Sequence, residues 1–68
     1  MLFVYILLII DAIWEDFVIY LTQEEAVQAS IDNPSGRVEI FYKPHNLSGF
    51  VPTYNYYKRG NYILGENT

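Results

Sequence analysis

Cysteine is absent from the 68-residue sequence, and histidine occurs only once. The chain therefore cannot form disulfides or thiolate metal sites, and a single histidine gives a structural zinc ion too few ligands. A domain near this size buries only about 60% of the surface that its unfolded chain exposes, so it is marginally stable alone. With disulfides and metals excluded, the composition favours self-association or docking on another protein, and no cofactor is expected.

Lysine and arginine are absent from the chain before Pro34, where every charged side chain is acidic. These acidic residues are Asp11, Glu15, Asp16, Glu24, Glu25 and Asp32. The basic residues all follow Pro34: Arg37, Lys43, Lys58 and Arg59. The simplest interpretation is that both halves carry ordinary solvated charge. The alternative is an inhibitor-type binder whose acidic half meets a basic surface on another protein.

The residue patterns of catalysis are missing as well. His45 and Ser48 share one loop, but no nucleophile elbow surrounds the serine. The acidic loop Asp11–Asp16 lacks the glycine and the regular spacing of oxygen ligands found in a calcium loop. No glycine-rich phosphate loop occurs. The sequence therefore predicts a protein that is not an enzyme and holds no metal.

One stretch is hydrophobic at every position: Leu2 to Ile10, LFVYILLII. Half-buried strands alternate between apolar and polar residues, whereas fully buried strands are continuous hydrophobic runs. The pattern predicts a first strand with two apolar faces. One face carries Leu2, Val4, Ile6, Leu8 and Ile10, and the other carries Phe3, Tyr5, Leu7 and Ile9.

A second strand is predicted over Phe17–Leu21, directly before a helix. Thr22-Gln23-Glu24-Glu25 matches a capping box, in which Thr22 accepts from the Glu25 amide and the Glu25 side chain accepts from the Thr22 amide. The helix is expected to run to about Ile31. Its predicted buried stripe is Ala26, Val27, Ser30 and Ile31.

Three more strands are predicted after the breakers of residues 32–36. Arg37–Lys43 alternates, with Val38, Ile40 and Tyr42 facing inward. Phe50–Tyr57 is extended, Lys58–Asn61 is a turn, and Tyr62–Leu64 closes a hairpin. Residues 65–68 are expected to form a loose tail of a single domain that spans residues 1–68.

These elements predict an α+β fold, ββαβββ, with a small mixed or antiparallel sheet. A right-handed crossover through the helix pairs the third strand with the first, so the order is 2-1-3 with the C-terminal hairpin beyond. One short helix covers one face of this sheet. The other face needs a partner, or else the aromatic C-terminal segment folds beneath it.

The uncovered face carries either the Phe3, Tyr5, Leu7 and Ile9 set or its alternate. We take the former set, with Tyr20 and Phe41, as the predicted interface. Trp14, in the loop after the first strand, joins these candidates as an interface anchor. Alternatively, Trp14 folds with Ile13 over the end of the sheet.

Aromatic and basic residues alternate near the C-terminus, which is typical of surfaces that stack bases and hold phosphates. The group is Tyr54, Tyr56, Tyr57, Lys58, Arg59 and Tyr62. The net charge of −4 opposes phosphate binding, so weak nucleic-acid binding is a second alternative. A membrane span takes roughly 20 apolar residues, and acidic residues interrupt the N-terminal run before that length. We expect a soluble intracellular protein with no membrane span.

Three segments resemble small uncharacterised proteins encoded by large DNA viruses of algae and protists: YLTQEEAVQAS, RVEIFYK and GFVPTYNYYKRGNY. The resemblance covers most of the chain and lies in its aliphatic start, short capped helix and Tyr/Asn-rich end. It implies a small virion component or a modulator of the host, and it supplies no active-site residues. We therefore expect a non-catalytic interaction or assembly protein, in a virion or an infected host cell. It binds itself or another protein through the uncovered sheet face or the exposed edge of the second strand.

Overall fold

The computed structural model describes residues 2–11 and 13–65, which form an α+β fold. In chain order its elements are β1 (Leu2–Leu8), a 3-10 helix (Trp14–Asp16), β2 (Val18–Tyr20), α1 (Gln23–Asp32), β3 (Arg37–Lys43), β4 (Val51–Lys58) and β5 (Asn61–Ile63). Of the predicted tail, residues 66–68 lie outside the described residues.

The strands form one sheet in the order β2-β1-β3-β4-β5, and every neighbouring pair is antiparallel. The α+β class, the 2-1-3 order and the C-terminal hairpin are confirmed. β1 has a neighbour on each side and pairs with β3 along its whole length, from Leu2↔Lys43 to Leu8↔Arg37. The strand that is apolar on both faces therefore lies inside the sheet, where both faces can be used.

α1 begins at the predicted cap. The Thr22 hydroxyl accepts a hydrogen bond from the Glu25 amide at 3.2 Å and donates one to Glu25 Oε1 at 2.9 Å. The Glu25 carboxylate thus binds the Thr22 hydroxyl in place of the Thr22 amide that the capping box predicts. At the other end the helix runs one residue past the predicted Ile31, and both the amide and the side chain of Asn33 donate to the Ala29 carbonyl.

The helix buries Ala26, Ala29 and Ser30 against the sheet. The predicted stripe is wrong at Ile31, which is exposed and lies at the margin against Gly60. Residues at i, i+3 and i+4 share a helix face, so Ala26, Ala29 and Ser30 form the centre of the stripe. The small alanine side chains let the helix approach the sheet closely.

Strand ends differ from the sequence prediction by one or two residues. β1 ends at Leu8 rather than Ile10 because the chain turns at Asp11, whose φ is 65°. β2 is shorter than predicted since only Tyr5 to Leu7 of β1 pair with it. β4 extends to Lys58, because the turn to β5 contains only Arg59 and Gly60. Both have positive φ, as a two-residue hairpin turn requires.

β4 contains a bulge that the sequence does not predict. Pairing with β3 shifts by two residues between Glu39↔Tyr56 and Phe41↔Pro52, so Ile40 faces three residues of β4. Tyr54, in the middle of the bulge, has a φ of 70°. The Thr53 hydroxyl donates to the Ile40 carbonyl at 2.8 Å and accepts from the Asn55 amide at 3.1 Å, which satisfies the backbone of the bulge.

Candidate functional site

The sheet face opposite α1 is the open face. Leu7 of β1 and its partner Val38 of β3 belong to the core beneath the helix. Because side chains alternate along a strand, the even-numbered residues of β1 point the other way. The apolar half of the open face consists of Leu2, Val4, Ile6, Leu8, Ile19 and Phe41, with Lys43 at its end opposite Leu2. No helix or further strand of the described residues lies over this face.

Five residues of the predicted interface lie on the helix side and not on the open face: Phe3, Tyr5, Leu7, Ile9 and Tyr20. Leu7 is part of the core, and Tyr5, Ile9 and Tyr20 pack against it. Phe3 pairs with Tyr42 on that same side. β1 is apolar on both faces, so its own pattern cannot tell which face the helix covers. Phe41, by contrast, pairs with Val4 on the open face.

The C-terminal segment extends the sheet, so its described part does not fold beneath the open face. β4 and β5 are its last two strands. The chain then runs back along β4, where the Gly65 amide donates to Asn55 Oδ1 at 3.2 Å. As far as residue 65, the C-terminal segment therefore does not cover the open face.

In the polar half of the open face, the charged side chains already bind other groups of this chain. Arg37 Nε lies 2.7 Å from Glu39 Oε2, and its guanidinium lies over the Tyr56 ring, 5.1 Å from the centroid. Lys58 Nζ donates to the carbonyls of Pro34 and Gly36, each at 2.8 Å. A cavity of about 430 Å³ lies at this corner, but its two cations already have partners. An anion would therefore gain little by binding at this corner.

Trp14 stands out from the loop between β1 and β2. Its side chain is 78% exposed, and Ile13 beside it is exposed too. Trp14 and Ile13 therefore do not fold over the end of the sheet. Exposed apolar residues continue through Phe17 and Leu21, so the β2 side of the molecule is its most hydrophobic margin.

The tyrosine cluster proposed for nucleic acids is divided between the two faces. Tyr56 pairs with Glu39 on the open face, whereas Tyr57 pairs with Val38 and is buried under the helix. Tyr62 pairs with Tyr57, so it also lies on the helix side. Since Lys58 binds backbone carbonyls, the cluster does not form one continuous surface of rings and cations.

A second concave region, the aromatic cleft, lies on the helix side near the start of α1. Its walls include the rings of Phe3, Tyr5, Tyr57 and Tyr62, and its volume is about 380 Å³. The Tyr57 centroid lies 6.2 Å from that of Tyr5 and 5.8 Å from that of Tyr62. Burial raises the pKa of the Tyr57 phenol, and the phenols of Tyr5 and Tyr62 raise it further. Sequence reasoning missed this cleft because the bulge that shapes it has no sequence signal.

Two of the acidic side chains accept hydrogen bonds from residues close to them in the sequence. Asp16 Oδ2 accepts from the Ile13 amide at 3.3 Å, and Asp32 Oδ1 accepts from Gln28 at 2.9 Å. His45 lies exposed in the β3–β4 loop. Within residues 2–11 and 13–65, no three histidine or carboxylate side chains are grouped as metal ligands would be.

Comparison with known proteins gives no relative: no family model, curated protein or solved structure matches the chain. No helix in the described part of the chain has the length and hydrophobicity needed to cross a membrane.

Proposed function

We propose that the protein is a non-catalytic assembly protein that pairs with a second copy of itself through the open face. The observation that carries this proposal is the uncovered row of apolar side chains on β1, β2 and β3. Contiguous apolar surface rimmed by polar residues is typical of protein interfaces. The chain also exposes 5015 Å², more than the about 4,450 Å² expected for a compact monomer of 8.0 kDa.

The size of the open face supports a dimer. With strands about 4.8 Å apart and a rise of about 3.3 Å per residue, the five strands present roughly 450 Å² of sheet plane. Side chains make the accessible surface larger than this projection. Two such faces together therefore reach the about 1,000 Å² that a specific interface requires.

The charges of the open face favour an identical partner. Arg37 and Glu39 form one ion pair, so a twofold axis near β3 brings each guanidinium towards the carboxylate of the other copy. Lys58 keeps its positive charge, but its ammonium group is held by two backbone carbonyls. Lys43 lies at the other end of β3, opposite Leu2, so the face as a whole is weakly positive and its support for an identical partner rests on the Arg37–Glu39 pair.

The resulting dimer is a sandwich of two sheets with α1 on each outer side. Sheets that pack face to face lie about 10 Å apart and are aligned within about 30°. Under this proposal Trp14 flanks the interface from its loop. The setting that the viral resemblance implies, a virion or an infected host cell, is part of the same proposal.

The test is sedimentation equilibrium over a range of concentrations, with two matched variants of β2. Ile19 lies on the open face and is 60% exposed, and its neighbour Val18 lies on the helix side and is 43% exposed. Ile19→Lys places a charge in the interface and is expected to raise the dimer Kd by about a hundredfold or more. Val18→Lys introduces the same side chain into the same strand and is expected to leave the dimer Kd near the wild-type value.

A folded wild-type protein that stays monomeric throughout the series overturns the proposal. Equal loss of association in both variants also overturns it, because that result indicates pairing through the β2 edge. Salt-sensitive capture of a basic protein by the monomer would instead support the inhibitor alternative.

A further inference from the structure

We propose that the aromatic cleft binds a proline-rich segment in the polyproline II conformation. The cleft lies on the helix side of the sheet, so this inference is independent of self-association through the open face. Four observations carry it: the bulge in β4, the orientation of Asn55, the exposed aromatic rings and the lack of charge in the lining.

The bulge directs two polar side chains into the cleft. Two extra residues of β4 are accommodated opposite Ile40, and Tyr54 adopts a left-handed conformation to do so. Such a conformation costs a non-glycine residue about 1 kcal/mol or more. Its consequence is that Thr53 and Asn55, on either side of Tyr54, both line the cleft. Bulges of this kind commonly re-aim side chains at functional sites.

The Asn55 amide is oriented as a donor. Its Oδ1 accepts the Gly65 amide, so the Nδ2 group is the side that remains to face a ligand. Within the described residues, Nδ2 makes no hydrogen bond. The Thr53 hydroxyl, by contrast, is already occupied by Ile40 and Asn55. The cleft therefore offers a fixed amide donor beside aromatic rings, which suits a ligand with a carbonyl acceptor.

The lining selects an uncharged ligand with ring-like apolar groups. No Asp, Glu, Lys or Arg is among the described residues that line the cleft. Phe3 and Tyr62 form exposed walls, and Ile40 and Tyr57 lie buried at its base. A polyproline II segment has no internal hydrogen bonds, so its carbonyls remain available as acceptors. Its pyrrolidine rings pack on aromatic grooves, and its stiffness keeps the entropic cost of binding low.

An oligosaccharide is the other neutral ligand with flat faces. Recognition of its many hydroxyl groups requires a correspondingly large number of polar partners. Besides Asn55, the lining offers the Gln23 amide and the hydroxyls of three tyrosines, whereas the Thr53 hydroxyl already serves the backbone of the bulge. The peptide is favoured because buried Ile40 and Tyr57 form an apolar base and aromatic rings form the walls, which suits pyrrolidine rings.

The experiment is an NMR titration with blocked decaproline, using maltohexaose as the saccharide probe. Tyr62 is an exposed ring of the cleft, and Trp14, an exposed ring in the β1–β2 loop, is its control because it does not line the cleft. We expect decaproline to cause saturable shifts at the amides of Tyr5, Asn55 and Tyr62. Tyr62→Ala should weaken binding about tenfold or more, and Trp14→Ala should not. If Tyr62→Ala fails to fold, Phe3→Ala with Leu2→Ala as its control replaces this pair.

The Ile19→Lys variant separates the two proposals, because it should bind decaproline like the wild type even when it no longer associates. Absence of shifts at about millimolar decaproline overturns the inference, since even weak peptide complexes are visible at that concentration. Equal loss of decaproline affinity in the cleft variant and in its control also overturns the inference. Saturable binding of maltohexaose without binding of decaproline would show that the cleft binds a saccharide and not a proline-rich peptide.

Discussion

Gly65 lies directly against the backbone of Tyr54: a Cβ on Gly65 would overlap the Tyr54 carbonyl oxygen. Tyr54 is the bulge residue with positive φ, and the same glycine donates its amide to Asn55. The chain after β5 therefore holds the bulge in place by a contact that only glycine permits.

Replacing Gly65 by alanine tests this contact. The Cβ cannot be accommodated without a shift of the backbone, so Gly65→Ala is expected to lower the free energy of unfolding by about 1–3 kcal/mol. Urea denaturation at fixed protein concentration measures the change. Gly49→Ala is the control, because nothing lies within 4 Å of its added Cβ. Equal midpoints for the two variants would show that the Gly65 contact does not matter.

Ser30 joins the helix to the β4–β5 turn. It is fully buried, donates to the Val27 carbonyl at 2.7 Å and accepts from the Gly60 amide at 2.9 Å. Ser30→Ala leaves the Gly60 amide without its acceptor, so we expect a loss of about 1–2 kcal/mol and faster exchange of the Gly60 amide hydrogen. The exposed Ser48→Ala variant should change neither quantity. Unchanged exchange at Gly60 in Ser30→Ala would contradict the role assigned to this hydroxyl.

Alkaline pH should destabilise the fold through Tyr57. Because burial raises the pKa of its phenol above 10.0, the folded state favours the protonated form. The stabilisation from this group is complete below pH 10.0 and is lost as the pH rises through the raised value. Tyr57→Phe cannot ionise, so its stability should fall less steeply over that range. Unfolding midpoints measured across the range give the slopes, and identical slopes for the two proteins would refute this assignment.

The fold was predictable where local signals agree. β3 has its predicted bounds because an alternating segment lies between strong breakers and a proline. The cap of α1 was predicted because Thr22 stands three residues before Glu25. The strand order then followed from the handedness of the crossover, once β1 was identified as the strand with two apolar faces.

The candidate sites were less predictable. β1 is apolar at every position, so its sequence does not state which face α1 covers, and the odd-numbered set predicted to be uncovered lies under the helix. The bulge depends on a left-handed Tyr54 and on Gly65 approaching from beyond β5. Neither feature has a local pattern, because the contact joins residues from different parts of the hairpin. The cleft shaped by the bulge could therefore be found only in three dimensions.

Pairing of two open faces can be observed in an isotope-filtered NMR experiment. Labelled and unlabelled copies are mixed, so that only contacts between different molecules give signals. We expect intermolecular signals among the methyl groups of Val4, Ile6, Leu8 and Ile19. Absence of such signals in the folded protein, or signals from Val18 in their place, would contradict assembly through the open face.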